Sequence, residues 1–127
     1  MSENVPEELH YTKTHEWVKV EADGSWLVGI TDHAQQLLGD LVYIELPQLE
    51  QSVSKGQELC VVESVKAAAD VYSPCDGTVV AINDALSQQP EAVNQQPYEA
   101  GWLFRLRPSN TDAIKELLTA EDYTKTI

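Results

Sequence analysis

The side chain best placed to do chemistry in this sequence is Lys66, set in Glu63-Ser64-Val65-Lys66-Ala67-Ala68. A free lysine amine has a pKa of about 10.4, so it is protonated at neutral pH and has no redox chemistry of its own. What it offers is a point of covalent attachment. Lys66 falls near the midpoint between Gly56 and Gly77, and small residues flank it, which leaves its surroundings open. Position alone does not single it out. The chain has six lysines, and the ordinary reading of any one of them is a solvated surface charge.

Other reactive residue types form no recognisable constellation. His10, His15 and His33 lack close ligand spacing such as HxxxH, and no cysteine pair joins them, so a metal site is not expected. Cys60 and Cys75 have neither CxxC spacing nor the density of a disulfide-stapled scaffold, and read as two small reduced side chains. Neither a GxSxG elbow nor a phosphate-binding glycine loop occurs, so no catalytic residues are expected. Trp17, Trp26 and Trp102 read as core and boundary aromatics.

The elements that must position Lys66 are strands. Leu59-Cys60-Val61-Val62 and Val71-Tyr72 have strand composition, and a chain pairing with itself between them carries Lys66 at or near the reversal. A helix over Ser64 to Asp70 competes, since three consecutive alanines favour it, although the segment is too short to be stable alone. Around this block, Trp17 to Glu21 and Ser25 to Ile30 flank Asp23-Gly24 as a hairpin. Thr31 to Gly39 begins with capping residues and ends on a glycine, the pattern of a short helix. Leu41 to Leu46 is a strand stopped by Pro47, and Glu50 to Gly56 is turn-like. Thr78 to Ile82 and Trp102 to Arg107 are further strands, with Ser87 to Gly101 as an ordered loop between them. Beyond Asn110, the helical spacing of Ile114, Leu117 and Leu118, with Thr119 and Asp122 as a cap, predicts a helical C-terminal segment.

Composition bounds the class. A chain of 127 residues with 43% hydrophobic content suits a single domain over 1–127, with a core over about 9–108 and a helical segment over about 109–127. The net charge of −13 argues against nucleic acid or an anionic membrane as partner and favours proteins with basic surfaces. The acidic start, Met1 to Glu8, lacks both an apolar signal region and the arginines of a transit peptide, so a cytoplasmic protein is expected; separately, a monomer is expected.

Six separate stretches, in order, carry a resemblance: Tyr11-Thr12-Lys13-Thr14-His15-Glu16-Trp17, Val28 to Gln35, Leu38-Gly39-Asp40, Glu45-Leu46-Pro47, Val62 to Ala68, and Gly101-Trp102-Leu103-Phe104. Together they resemble the glycine cleavage H-protein family from about Val5 to Tyr123. The resemblance implies a mainly β fold, the lipoyl/biotinyl-carrier-like sandwich (barrel-sandwich hybrid), with short helices including a C-terminal one. It implies lipoate as cofactor, amide-linked to Lys66 at a hairpin tip, and a role for Glu63 in recognition by lipoate-attaching enzymes. It further implies a non-catalytic carrier that shuttles the aminomethyl group of glycine from glycine decarboxylase (P protein) to aminomethyltransferase (T protein). Dihydrolipoyl dehydrogenase (L protein) would be the third partner. On matching positions, Thr14, Glu16 and Asp70 would line a cleft for the loaded arm, where a carboxylate faces its ammonium.

Three neighbouring readings differ in pathway, prosthetic group or parent enzyme. An H-like lipoyl protein serving lipoyl transfer or another lipoate-dependent pathway has the same motifs. A biotin carrier usually sets its lysine between methionines, whereas Val65 and Ala67 flank Lys66; an acyltransferase lipoyl domain usually has Asp before its lysine.

Overall fold

The structure is a computed structural model that describes residues 5–127; Met1–Asn4, part of the acidic stretch read above for localisation, lie outside the described residues. The elements run β1 (His10–Tyr11), β2 (Glu16–Val20), β3 (Trp26–Ile30), α1 (Asp32–Leu38), β4 (Leu41–Glu45), β5 (Ser52–Val53), β6 (Glu58–Ser64), β7 (Ala68–Tyr72), β8 (Gly77–Ile82), α2 (Glu91–Gln95), β9 (Phe104–Pro108) and α3 (Ala120–Thr124), with 3-10 turns at Asp84–Ser87 and Thr111–Glu116. A six-stranded sheet, ordered β1-β2-β3-β9-β8-β5, packs against a three-stranded sheet, β4-β6-β7. Every pairing is antiparallel.

Alternation along the strands builds the core between the sheets. Val18, Val28, Val79, Phe104 and Leu106 from the larger sheet meet Ile44, Cys60, Val62 and Val71 from the smaller. The other face of the large sheet is covered too, where Tyr11 and Trp17 pack with Leu9, Ala120 and Tyr123. Trp17 pairs directly with Gly29, and a Cβ at Gly29 would stand 2.6 Å from the indole Nε1, so only glycine admits the ring. The buried indole N–H donates to the Pro97 carbonyl at 2.9 Å, which meets the need of a buried donor for a partner.

The expected hairpins and the helix α1 form where turn and cap chemistry placed them. Thr31 is the N-cap, its Oγ1 accepting from the Ala34 N–H at 3.2 Å, an arrangement worth about 1 kcal/mol. Gly39 closes the helix at φ +85°, its N–H bonded to the Gln35 carbonyl at 2.9 Å. The competing helix over Ser64 to Asp70 does not form, because Ala68 to Tyr72 pair with β6 instead.

Three local expectations are corrected. The segment Ser87 to Gly101 is no plain loop: it contains α2, anchored by fully buried Val93 and by Asn94. A single turn of helix has almost no intrinsic stability, so these tertiary contacts create it. Within Glu50 to Gly56, Ser52 and Val53 pair with Thr78 and Gly77 as β5. The spacing of Ile114, Leu117 and Leu118 is not one helix either, since Leu118 leaves the 3-10 turn and exchanges backbone bonds of 2.7 and 2.9 Å with Tyr11. That bridge and α3 tie the C-terminal segment to the N-terminal edge of the large sheet.

Candidate functional site

Lys66 occupies the reversal between β6 and β7, exposed to solvent. Ser64 shapes this turn. Its N–H donates to the Ala67 carbonyl at 2.7 Å, while its Oγ accepts from the N–H groups of Lys66 at 3.2 Å and Ala67 at 3.0 Å. A hydroxyl bonding the backbone two and three residues on is turn chemistry that leaves the intervening side chains pointing outward. Lys66 makes no ion pair among the described residues.

The tip rests on the corner that follows α1. The Val65 N–H donates to the Asp40 carbonyl at 3.3 Å, and a Cβ built on Gly39 would lie 3.4 Å from Lys66 Cε and 3.9 Å from its Nζ. Asn94 braces the corner from α2. Its Nδ2 donates to the Gly39 carbonyl and to Gln35 Oε1, both at 2.9 Å, and its Oδ1 accepts from the Leu41 N–H at 2.9 Å. Glu63 is half-buried on β6, opposite Tyr43 on β4 and Ala68 on β7.

A second set of residues gathers beyond the far end of β7. Glu16, at the start of β2, is only 1% exposed. Its Oε1 accepts from both Thr12 Oγ1 and Thr14 Oγ1 at 2.5 Å, and its Oε2 accepts from the Tyr72 N–H at 3.2 Å. Burial pushes the carboxyl pKa up from its ordinary value, against the opposing pull of these hydrogen bonds. The same carboxylate thus caps the end of β7 and joins the two sheets. Thr14 and Glu16 line a cavity of about 540 Å³ together with Tyr11, Lys55, Tyr72 and Leu118. Lys55 and Glu116, also in its lining, form an exposed ion pair at 2.6 Å.

Asp70 is not part of that cavity. It is exposed on β7 and lines a separate groove with Glu45, Gln51, Glu58 and Val61. One residue, Val71, separates it from Tyr72, so both side chains leave the same face of the strand. The structure therefore brings Thr14 and Glu16 together and leaves Asp70 partway along the strand between them and Lys66.

His15 and His33 have rings 5.0 Å apart, and His15 Nδ1 lies 2.8 Å from Tyr123 Oη, in line with a structural role. Among the described residues no group of three His, Cys, Asp or Glu side chains is disposed to hold a metal ion. Burial raises the thiols of Cys60 and Cys75 to about 12, so both are protonated, inert side chains at neutral pH. Sequence reasoning did not single out Thr12, Gly39, Ser64, Tyr72 or Asn94. Ser64 had a local signal, a hydroxyl residue opening a tight reversal, and Gly39 was legible only as the end of a helix; the others act across the fold.

The chain is similar to known proteins over nearly its whole length. The family model described as glycine cleavage H-protein matches residues 9–127. The glycine cleavage system H protein of a Psychrobacter species is 55% identical over 120 residues, covering 94% of this chain and 95% of its own length. That of Salmonella arizonae is 53% identical, covering 94% and 93%. Among solved structures, the crystal structure of a glycine cleavage system H protein from Mycobacterium marinum is similar with a TM-score of 0.86 and 38% identity, over 95% of this chain and 97% of that one.

Proposed function

The chain belongs to the glycine cleavage H-protein family, and from that membership we propose that Lys66 is the residue on which this lipoyl carrier of the glycine cleavage system bears its arm. The observation that carries the assignment is the turn itself, which holds an exposed lysine at the reversal between β6 and β7. Lipoate, when amide-linked there, supplies a dithiolane that opens to take the aminomethyl group of glycine on one sulfur. The enzymes served are a pyridoxal-phosphate glycine decarboxylase as donor, a folate-dependent aminomethyltransferase as acceptor, and a flavoprotein dihydrolipoyl dehydrogenase. The chain presents the arm and catalyses none of those steps.

The residues present fit such a group. Lipoyl-lysine spans about a dozen bonds, or about 14 Å at roughly 1.2 Å per bond. Strand β7, from Ala68 to Tyr72, covers about 13 Å at roughly 3.3 Å per residue. An arm that starts at Lys66 and lies along β7 extends over most of the strand toward the cavity where Thr14 and Glu16 sit. Glu16 would accept a cargo ammonium in exchange for a threonine hydroxyl, and Asp70 would meet the arm on its way. Shielding there lowers the access of water to the cargo. Glu63, adjacent to the turn, is the residue we assign to recognition during lipoylation.

Intact mass after co-expression with a lipoate ligase tests the assignment. One lipoyl increment is expected on the native chain and none on Lys66→Arg; an increment retained by that variant places the arm elsewhere and overturns it.

A further inference from the structure

Strand β4 departs from regular pairing beside the hairpin tip. Leu41 pairs with Ser64 and Tyr43 with Glu63, and the register shifts between them. The bulge turns two consecutive side chains outward, Val42 at 54% and Tyr43 at 53% exposure, between buried Leu41 and Ile44. Val65, in the turn, is 76% exposed, and Leu37, in the last turn of α1, is 60% exposed. Single exposed apolar side chains are ordinary. Here four of the seven large apolar side chains that stand out as exposed among the described residues fall in the segments meeting at Lys66. A bulge that re-aims two of them is a feature the fold could have avoided.

Charge says what kind of surface covers this patch. The segments 37–46 and 58–72 carry Asp40, Glu45, Glu58, Glu63 and Asp70 against the single cation Lys66. A partner with an apolar socket ringed by lysine and arginine is complementary to both features.

Reach says which partner meets it most closely. The bare lysine amine stands five bonds from its Cα, about 6 Å. An enzyme acylating that amine must bring the hairpin tip to the mouth of its active site. Enzymes acting on the dithiolane work at the end of an arm of about 14 Å, and can leave the tip outside.

We propose that Val42, Tyr43 and Val65, with Glu63 at their edge, form the docking face for the enzyme that acylates Lys66, whose active-site mouth has an apolar socket within a basic rim. The proposal rests on the reading of Lys66 as the lipoyl-lysine. In the step served, the neutral Nζ attacks the carbonyl carbon of a lipoyl thioester or acyl phosphate. The C–N bond forms as the bond to sulfur or oxygen breaks, and the nitrogen's proton leaves with the departing thiol or phosphate. Docking also restricts the tip while its lysine lifts from Gly39, so contact at Val42 and Tyr43 acts on encounter and not on the chemical step.

The test is steady-state lipoylation of the intact apo chain by a lipoate ligase, followed by mass, for native protein, Val42→Ser/Tyr43→Ser, Tyr43→Phe and the remote control Val20→Ser. The double variant is expected to raise KM roughly tenfold or more with kcat within about twofold. Tyr43→Phe, which keeps the apolar ring, and Val20→Ser are expected to stay within about twofold of native KM. Circular dichroism and melting temperature confirm folding, and Val65→Ser, expected to raise KM in the same way, serves as a second reading of the face should the double variant misfold. Native KM in the folded double variant, or a fall confined to kcat, overturns the proposal. So does a defect seen only when the fully lipoylated variant is offered to glycine decarboxylase. Absence of any lipoyl increment on the native chain instead fails the assignment of Lys66, a distinct result.

Discussion

The Lys66 side chain lies over Gly39, with its Cε 3.4 Å from where a Cβ at that position would stand. The two residues belong to different local units, the β6–β7 turn and the C-terminus of α1, and Asn94 braces the corner between them. The lysine thus has a defined resting place on a rigid floor, which limits where an attached arm starts from.

Gly39→Ala tests that floor. A contact of 3.4 Å is ordinary van der Waals distance, so the added methyl alone costs little, but φ of +85° is unfavourable for any L side chain. A loss of about 1–2 kcal/mol in denaturant unfolding is expected, with lipoylation of Lys66 retained. An unchanged midpoint would mean the corner relaxes and that the brace is not rigid.

Ser64→Ala removes the acceptor that holds the Lys66 and Ala67 N–H groups. Because the turn is exposed, water replaces the lost bonds and global stability should drop by about 1 kcal/mol or less. The effect belongs to presentation: a faster hydrogen exchange at Lys66 and Ala67 amides and a slower lipoylation rate. Ser64→Thr, which keeps the hydroxyl, should restore both; failure of that rescue would remove Ser64 from the account.

Glu16 supplies a pH dependence with a definite sign. Burial raises its pKa in the folded protein above the ordinary value of 4.5. Its contribution to stability is therefore fully present below the unfolded pKa and lost as pH rises through the folded one. Glu16→Gln has no such loss. The melting temperature of the variant minus that of the native chain should become more positive as pH rises from about 4 to about 8. A difference constant across that range would show that the carboxyl is not perturbed.

Glu16 and Asp70 differ in burial, and their roles toward a loaded arm should differ accordingly. Asp70→Asn is expected to shorten the lifetime of the aminomethyl-loaded form only about two- to fivefold, the scale of an exposed charge pair. Glu16→Gln should shorten it more, because a pair in the cavity is less screened. Both should lipoylate normally. Chromatographic decay of the loaded protein measures this, and equal effects would contradict the separation of Asp70 from the cavity seen in the fold.

Much of the fold is legible in the order of residues along the chain. Asp23-Gly24 and Asp76-Gly77 mark reversals, Thr31 and Gly39 bracket α1, and alternation marks the longer strands, because turn, cap and pleat chemistry act over a few residues. The same local logic puts Lys66 at a reversal, and the ordered motifs around it carry the family. Local pattern does not reveal relationships between distant segments. Glu16 reads as one more carboxylate until β7 delivers the Tyr72 N–H to it from 56 positions away. The resemblance carries Asp70 and Glu16 together, and only the fold sets Glu16 at the cavity and Asp70 partway along β7 toward Lys66. Helix α2 and the Tyr11–Leu118 bridge exist only because buried contacts offset the entropy of ordering short segments. The position of Lys66 at a reversal is thus determined by sequence, whereas its Gly39 floor, the bulge beside it and the cavity toward which β7 leads depend on how two sheets close over a shared core, which no local signal encodes.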